Sequence, residues 1–510
     1  MAIELVGYVR LINQYQLACM LPTRHAVIDT AVKGRVESAD VLKFEPKYSP
    51  NNQLCDDLQF ALRYEGINLQ VLYFLFKENV KAEIQYWLNQ QSTSKYARQA
   101  AFLYEWLTND TLDSNVSAKA SYVALLDERL QFGLSVSDKS AAEKNLKFRV
   151  LNNLPGNQNF CPLVYKTAFL KDIVNKNLKL STQTTLAKYD RDLLRRASAY
   201  LYLKETQSSF EVEREKPSPT KAQRFADLLR ESESGTPLSE DRFIALQNAV
   251  LDPRFQEVSY RNQQNWIGEN KGYRNKISLV PARPEHVHQL MQGLVKQAEH
   301  FRQHSQSIDA VIMAAAIAFG FVFIHPFMDG NGRLHRYLIH EILSAAGFTP
   351  KGIVLPVSAV ILANLDQYLA VLEAFSKPLV NRTDYNPDTP NVPAVGNDEV
   401  FFKYFDATEQ ASFLYQALEN TVENDLQDEI AFLIGFDQAK QQLNALFDWP
   451  PHTLDLLIRL VHQNNGVLSK TKKESHFEWL SEDELAKCER IINETFKLPN
   501  LKLSNFNPSI

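Results

Sequence analysis

The segment AVIMAAAIAFGFVFI, residues 310–324, carries no charged side chain and leads directly into HPFMDGNGRLHR, residues 325–336. A membrane-spanning helix needs roughly 20 apolar residues, so this run of 15 is too short to span a bilayer. Its uniform apolarity is typical of a helix buried on every side in a protein core. The sequence therefore predicts a buried central helix that ends at a polar loop, and no membrane span.

The loop after this helix has the composition of a phosphate site. Asp329-Gly330-Asn331-Gly332 is turn chemistry, because glycine lets the backbone point successive N–H groups into one concavity. A helix is predicted to begin directly afterwards, with Arg333 and Arg336 on one face because they are three residues apart. Free N–H groups at a helix start and two guanidiniums together favour binding of a polyphosphate.

Two further residues in this run suggest catalysis. A carboxylate beside phosphate is repelled unless a cation lies between them, so Asp329 predicts Mg²⁺, which binds through one or two carboxylates and phosphate oxygens. An imidazole near neutral pH can take a proton from an attacking hydroxyl, and His325 stands at the lip of the loop. Taken singly, a D-G-N-G turn, a His-Pro pair or two arginines are ordinary features of surfaces and helix ends. Their concentration in twelve residues favours a functional site.

The run 325–336 resembles the signature of the Fic family (filamentation induced by cyclic AMP), His-Pro-Phe-x-Asp/Glu-Gly-Asn-Gly-Arg-x-x-Arg, at every fixed position. Upstream, YRNQQNWIG at 260–268 resembles the family's flap, and residues 260–279 combine aromatic residues, β-branched residues and glycines as in a short β-hairpin. The resemblance covers about residues 205–380. It implies a mainly α fold, a helical bundle core with a β-hairpin flap, flanked by helical N- and C-terminal regions.

What the resemblance implies is a protein adenylyltransferase that moves AMP from Mg-ATP to a Ser, Thr or Tyr hydroxyl of a protein. His325 would take the hydroxyl proton, Asp329 would hold Mg²⁺, and Phe327 would anchor the loop. Arg336 would contact the γ-phosphate. The other residues expected to contact the nucleotide or the protein substrate are Gly330, Asn331, Gly332 and Arg333 in the loop, Asn265, Trp266, Ile267 and Gly268 in the flap, and Tyr368 at the adenine.

Many Fic proteins carry an inhibitory helix with the pattern Ser/Thr-x-x-x-Glu-Gly/Asn, whose glutamate pairs with the second arginine of the signature. Ser209 and Glu213 match this pattern just before the region of resemblance, although Arg214 replaces the Gly or Asn. Glu65, followed by Gly66, is a weaker second candidate, and a solvated helix position explains it better. The resemblance thus implies autoinhibition by Glu213.

The sequence as a whole predicts three regions. They are an N-terminal helical domain at 1–204, the Fic domain at 205–380 and a C-terminal helical domain at 399–510. The Fic domain includes the inhibitory helix near 205–215, and the C-terminal domain could form a module similar to a helix-turn-helix. Four scattered cysteines without CxxC spacing predict reduced thiols, and the N-terminus lacks the pattern of a signal peptide, so a cytoplasmic protein is expected. A net charge of -5 gives no electrostatic footprint for nucleic acid, although a local basic patch could hide inside it.

Several functions stay open at this level. Relatives on the same fold move phosphate, UMP or phosphocholine, or remove AMP, and a nucleotide-sensing regulatory protein is an alternative from another class. The intact His325 and Asp329 favour an enzyme. Relatives also use self-modification or homodimer formation to control the inhibitory helix, and both stay open for this chain. The flap would bind a protein substrate that adds to it as a further strand.

Overall fold

A computed structural model shows a mainly helical chain, with 21 α-helices and 11 short strands among the residues it describes. The mainly α fold class is confirmed. The described residues are 3–38, 40–138, 140–251, 254, 256–270, 275–389 and 392–496.

The chain packs into two compact units, each made of three separate stretches of sequence. The first unit consists of residues 1–178, 218–348 and 364–415, and the second of residues 179–217, 349–363 and 416–510. The three predicted domain boundaries stay a prediction. All four cysteines are free thiols, as expected.

The N-terminal part of the first unit contains small sheets that the sequence analysis did not predict. The largest has the strand order β1-β2-β4-β3, formed by Ile3–Val6 (β1), His25–Asp29 (β2), Arg35–Glu37 (β3) and Val41–Phe44 (β4). Strands β2 and β4 are parallel, and the other pairs are antiparallel. Two smaller sheets, ordered β5-β8-β7 and β6-β9, use Val123–Ala124 (β5), Gln131–Phe132 (β6), Glu143–Asn145 (β7), Val150–Asn152 (β8) and Val164–Tyr165 (β9).

Six helices accompany these strands and confirm the helical periodicity of this region. The aromatic rings of Phe44 and Phe60 pack edge to face with centroids 5.1 Å apart, which joins the largest sheet to α2. The helices are Tyr8–Tyr15 (α1), Leu54–Tyr64 (α2), Leu69–Lys77 (α3), Lys81–Gln90 (α4), Lys95–Thr108 (α5) and Ala168–Asn175 (α6).

The middle of the chain is helical apart from one hairpin. The hairpin strands are Ile267–Asn270 (β10) and Asn275–Leu279 (β11), which confirms the predicted β-hairpin in its second part, whereas residues 260–266 are not a strand. The helices are Leu178–Leu186 (α7), Arg191–Val212 (α8), Pro219–Glu231 (α9), Glu240–Val250 (α10), Pro284–Gln303 (α11), Ala310–Ile324 (α12), Asn331–Ala345 (α13), Val357–Ala363 (α14), Leu365–Val380 (α15), Glu399–Lys403 (α16) and Thr408–Asn420 (α17).

Helix α12 is the central helix of the first unit, and all 15 of its residues are buried, as predicted. Asp309 caps its N-terminus by accepting hydrogen bonds from the N–H groups of Val311 and Ile312. None of the described helices is by itself long and apolar enough to span a membrane. Only α14 and α15 taken together pass that test of length and composition.

The second unit is held together by α8, α14 and the C-terminal helices. Glu205 on α8 accepts hydrogen bonds from the backbone N–H and the hydroxyl of Ser358, at 2.8 and 2.5 Å. A short π-helical turn leads into the last four helices, which confirm a helical C-terminal region, and three of these helices pack their apolar side chains into one core. The last four helices are Leu426–Leu446 (α18), Pro451–Gln463 (α19), Lys470–His476 (α20) and Glu482–Phe496 (α21).

Candidate active site

The loop between α12 and α13 begins with a residue in an uncommon backbone conformation. His325 has φ 55° and ψ 63°, in the left-handed region, and its N–H donates to the carbonyl of Phe321 at 2.9 Å. A non-glycine residue in this region is strained, and such residues cluster at functional sites. The left-handed turn ends α12 and sets the imidazole at the start of the loop.

The His325 imidazole is arranged to act as a base. Its Nδ1 lies 3.2 Å from the Val322 carbonyl, which can only accept, so Nδ1 carries the proton and Nε2 keeps its lone pair. Burial and the neighbouring Arg261 charge lower the pKa of His325 to about 4. The ring is therefore neutral at neutral pH, with Nε2 available to receive a proton.

Asn331 fixes the shape of the loop. Its side chain donates to the carbonyl of Phe327 at 2.8 Å and accepts from the Phe327 N–H at 3.1 Å. The Phe327 side chain is fully buried and its ring centroid lies 5.5 Å from that of Tyr260, which fits the expected anchoring role. This clamp orients the Asn331 side chain toward Phe327, and the Asn331 backbone N–H lies in the first turn of α13.

The start of α13 offers free backbone donors. Gly330 is the N-cap residue, with φ 77°, and no side chain caps the helix. The first N–H groups of a helix have no acceptor within the helix, so this end suits an anion. A Cβ at Gly330 would also lie 2.7 Å from Nε2 of Gln247, which donates to the Asp329 carbonyl. Gln247, on α10, is a loop-shaping residue that sequence reasoning missed.

Asp329 presents its carboxylate to solvent, with 75% of the side chain exposed. One oxygen accepts from the Gly330 N–H at 2.6 Å, and Arg333 Nη2 lies 3.7 Å from the same oxygen. No cluster of three or more potential metal-ligating side chains occurs among the described residues. An exposed single carboxylate beside a phosphate cradle fits Mg²⁺, which completes its shell with water and phosphate oxygens.

The two arginines of α13 are deeply buried, at 3% exposure for Arg333 and 1% for Arg336. Arg333 Nη1 donates to the carbonyl of Val250 at 3.4 Å. Their spacing places both on one face of α13, as expected. A guanidinium presents planar, paired donors, and this geometry suits phosphate.

Asn265 is one of the flap residues that contact the loop. Asn265 is buried and donates from Nδ2 to the Phe327 carbonyl at 3.3 Å, while its Oδ1 is buried without a partner in the described part of the chain. Trp266 and Ile267 are partly buried and Gly268 is exposed. A Cβ at Gly268 would lie 2.0 Å from the Lys276 carbonyl across the hairpin, so only glycine fits there.

The hairpin also leaves an edge open. Strand β10 pairs only with β11, in a two-stranded sheet, so its outer edge has no strand partner within the described ranges. The register shifts between Ile267 and Gly268, which marks a bulge at the start of the strand. An open edge beside the loop is where an extended peptide could add as a third strand.

Arg261 is the principal site residue that sequence reasoning missed. Its side chain is 4% exposed, and burial lowers its pKa to about 10. Its backbone N–H donates to the Pro326 carbonyl at 2.8 Å, and its Nε donates to the His325 carbonyl at 2.7 Å. Nothing in the sequence distinguishes it from a surface arginine. The other carbonyls that its guanidinium reaches are those of Gln263, Ala282 and Ile324.

Tyr368 lies on α15 in the aromatic core of the first unit. It is 4% exposed, and its ring centroid lies 6.3 Å from Phe319, 6.1 Å from His335 and 5.8 Å from Phe413. The structure therefore places it behind α12 and α13, and its contact with adenine stays a prediction.

The predicted inhibitory residues belong to the second unit, at the end of α8. Ser209 is buried, Glu213 is exposed, and Arg214 has φ 57°. The N–H of Arg214 donates to the Glu211 carbonyl at 2.8 Å and that of Glu215 to the Phe210 carbonyl at 3.1 Å. These two bonds form a Schellman motif, so the helix ends after Glu213 although arginine occupies the position that glycine favours.

Glu65 is not the solvated helix residue that the sequence analysis preferred, and that interpretation is wrong. Its side chain is buried at the end of α2 and accepts from the N–H of Tyr8 at 3.1 Å. Burial raises its pKa to about 8. Glu65 thus contributes to the packing of α1 against α2.

Part of the chain is similar to known proteins. Residues 237–343 match the family model described as Fic/DOC family. A Fido domain-containing protein of Dictyostelium discoideum is 36% identical over 89 residues, which are 18% of this chain and 57% of that protein. A protein adenylyltransferase Fic of Nematostella vectensis is 41% identical over 130 residues, which are 24% of this chain and 26% of that protein.

The chain thus spans little more than half of the first relative and about a quarter of the second. A solved structure of a Fic domain containing signaling protein from Bacteroides thetaiotaomicron aligns with 49% of this chain and 95% of that chain, at 19% identity and a TM-score of 0.35. The matched residues 237–343 contain the whole 325–336 signature and the flap. Residues 237–343 of the chain thus form a region that matches the Fic/DOC family.

Proposed function

We propose that this protein transfers AMP from Mg-ATP to a hydroxyl side chain of a protein. The observation that carries the proposal is the arrangement of His325, with a free Nε2 lone pair, at the loop that leads to the uncapped N-terminus of α13. A base beside a cradle of N–H groups and guanidiniums is what nucleotidyl transfer requires, because this reaction depends on positioning and charge neutralisation.

In the proposed step, the hydroxyl oxygen of the protein substrate attacks the α-phosphorus of ATP. The hydroxyl proton passes to Nε2 of His325, the new bond joins that oxygen to the α-phosphorus, and the bond to the β-phosphate breaks to release pyrophosphate. Arg333 and Arg336 would neutralise the leaving phosphates. The Nδ1 bond to Val322 holds the imidazole in the tautomer that the step needs.

Asp329 is the residue that would hold Mg²⁺, since its carboxylate is exposed beside the loop. A bound Mg²⁺ would neutralise phosphate charge and orient the triphosphate. The protein substrate would lie along β10, where main-chain pairing supplies affinity without selecting a side chain. Asn265 would connect that strand to the loop, through its bond to the Phe327 carbonyl.

ATP labelled separately at the α- and γ-phosphates tests the reaction. The full chain is incubated with Mg²⁺, each labelled ATP and a protein extract as acceptor. Retention of the α-label on protein is expected, and retention of the γ-label alone would show phosphate transfer and overturn the proposal. His325→Ala should abolish labelling, whereas His304→Ala, a partly exposed histidine at the end of α11, should not.

Autoinhibition by Glu213 is the second part of the proposal. It rests on the match of Ser209 and Glu213 to the inhibitory pattern and on the helix end that the Schellman motif creates at Glu213. Glu213→Gly should increase transfer of the α-label. Glu211→Gly is the matched control, because Glu211 is also an exposed glutamate in the last turn of α8. An equal response of the two variants would refute autoinhibition by Glu213.

A further inference from the structure

A basic cleft lies in the N-terminal part of the first unit, outside the matched Fic domain. Its volume is about 670 Å³, which is within the range of about 300–1,000 Å³ typical of small-molecule sites. Six cationic side chains line it, and they come from separate strands, helices and loops: Arg24, Arg35, Arg63, Arg129, Lys166 and Lys171.

The charge of this cleft opposes that of the whole protein. Two carboxylates, Glu37 and Asp127, face the six cations, which leaves a net charge of six minus two, or +4. The chain as a whole carries -5. Like charges gathered in one concavity repel one another, so the arrangement has an electrostatic cost that an anion would relieve.

Both carboxylates are already paired. Asp127 accepts from Nε and Nη2 of Arg129 at 3.0 and 2.6 Å, and this side-chain pairing lowers the pKa of Asp127 to about 2. Glu37 accepts from Arg24 with one oxygen and from Arg35, at 3.2 Å, with the other. The acidic residues therefore fix three of the arginines in place.

The other three cations have no carboxylate within 4 Å in the part of the chain that the structure describes. Arg63 lies over the ring of Tyr64 at 5.0 Å, and Lys166 lies over Phe132 at 4.8 Å. Burial, together with the charge of Lys171, lowers the pKa of Lys166. These contacts hold the cations against the wall and leave their N–H groups for a ligand.

Neutral donors complete the lining. Tyr64 and Tyr96 border the cleft, and the hydroxyl of a tyrosine can donate a hydrogen bond. The Nε–H of Arg24 is buried and lacks an acceptor among the residues placed by the structure. A buried donor without a partner is uncommon and calls for a missing acceptor. The wall thus offers donors to a ligand rich in acceptor oxygens.

We infer that this cleft binds a small phosphorylated ligand, such as a nucleotide or a pyrophosphate group. A guanidinium pairs with phosphate through two parallel hydrogen bonds. The net charge of +4 is also balanced better by the two to three negative charges of a phosphorylated ligand than by the single charge of a carboxylate. A long nucleic acid strand fits less well, because the cations converge on one cavity and the protein has a negative net charge.

The test measures binding of inorganic pyrophosphate and of AMP to the full chain by calorimetry, without Mg²⁺. The cleft variant is Arg63→Gln/Lys166→Gln, and the matched control is Lys119→Gln/Lys296→Gln, two exposed lysines of the same unit that do not line the cleft. Each charge-assisted hydrogen bond contributes about a factor of ten in affinity. The cleft variant should therefore bind at least about tenfold more weakly, with the control unchanged.

Because Arg63 and Lys166 lie on the cleft surface and Lys119 and Lys296 are exposed, thermal melting should show both variants folded. Absence of saturable binding to the wild-type chain, or an equal loss in cleft and control variants, would overturn the inference. Tighter binding of a 5′-phosphorylated single strand than of pyrophosphate or AMP would assign the cleft to nucleic acid instead. Because the 325–336 loop is itself proposed to bind phosphate, the titrations are also made with Arg333→Gln/Arg336→Gln. Loss of binding in that variant, with the cleft variant unchanged, would assign the signal to the 325–336 loop and overturn the inference.

Discussion

Arg261→Met is expected to leave the fold nearly intact and to abolish most of the activity. The side chain of Arg261 donates to four backbone carbonyls, two of which belong to Ile324 and His325 at the end of α12. Methionine fills a similar space and donates nothing. The substitution therefore removes a side chain that fixes the start of the 325–336 loop.

The magnitude follows from two opposing terms. Four buried carbonyls that lose a donor cost about 1 kcal/mol each at the lower end of the usual range, or about 4 kcal/mol. Burial lowers the pKa of Arg261 from the usual value of an arginine to about 10, so removing the charge recovers about 3 kcal/mol. The net loss of unfolding free energy should be about 1 kcal/mol. A displaced imidazole, in contrast, can reduce kcat about 100-fold.

The assay compares urea unfolding with the rate of AMP transfer. Arg98→Met is the matched control, because Arg98 is also 4% exposed. Among the described residues, its side chain donates to the backbone carbonyls of Ser94 and Ser121, which are far from the 325–336 loop in sequence. Arg98→Met should lose comparable stability and keep its transfer rate. A transfer rate for Arg261→Met equal to that of the wild type would refute the reasoning.

Three other outcomes are expected. Because the pKa of His325 is lowered to about 4, the form of the imidazole that accepts a proton predominates from pH 5 upward. The value of kcat/KM should therefore be constant between pH 6 and 8, and an inflection near pH 6.5 would contradict this. Gly330→Ala should lower the unfolding free energy by about 1–2 kcal/mol because of its positive φ, and further because the new Cβ would contact Gln247. Gly347→Ala has φ 63° and nothing within 4 Å of the new Cβ, so it should lose only the part that comes from the positive φ. Equal unfolding free energies of the two variants would exclude the contact with Gln247. Arg214→Gly should raise the unfolding free energy by about 1 kcal/mol, because glycine adopts the left-handed conformation at φ 57° without strain. A lower melting temperature would show that contacts of the arginine side chain stabilise the fold by more than the strain destabilises it.

The parts that the sequence predicted are those with a local signal. The apolar run 310–324 is a buried helix, the loop follows it, and a hairpin lies upstream, because each depends on residues close together in the chain. The strands of the N-terminal region were missed. They are two to five residues long, which is too short for an alternating pattern to be recognised.

The rest of the site depends on contacts between distant residues. Gln247 reaches the Asp329 carbonyl and Arg261 reaches that of His325, and neither pairing leaves a trace in sequence spacing. The same holds for the basic cleft, whose cations are spread from Arg24 to Lys171 within a chain of net negative charge. Tertiary packing alone brings such groups together.

Calorimetric titration of the full chain with ATP, with and without Mg²⁺, tests the central claim most directly. The account predicts saturable binding that Mg²⁺ strengthens in the wild-type chain and in Glu213→Gly, and binding that no longer responds to Mg²⁺ in Asp329→Ala. Failure of both the wild type and Glu213→Gly to bind Mg-ATP, or an unchanged Mg²⁺ response in Asp329→Ala, would contradict it.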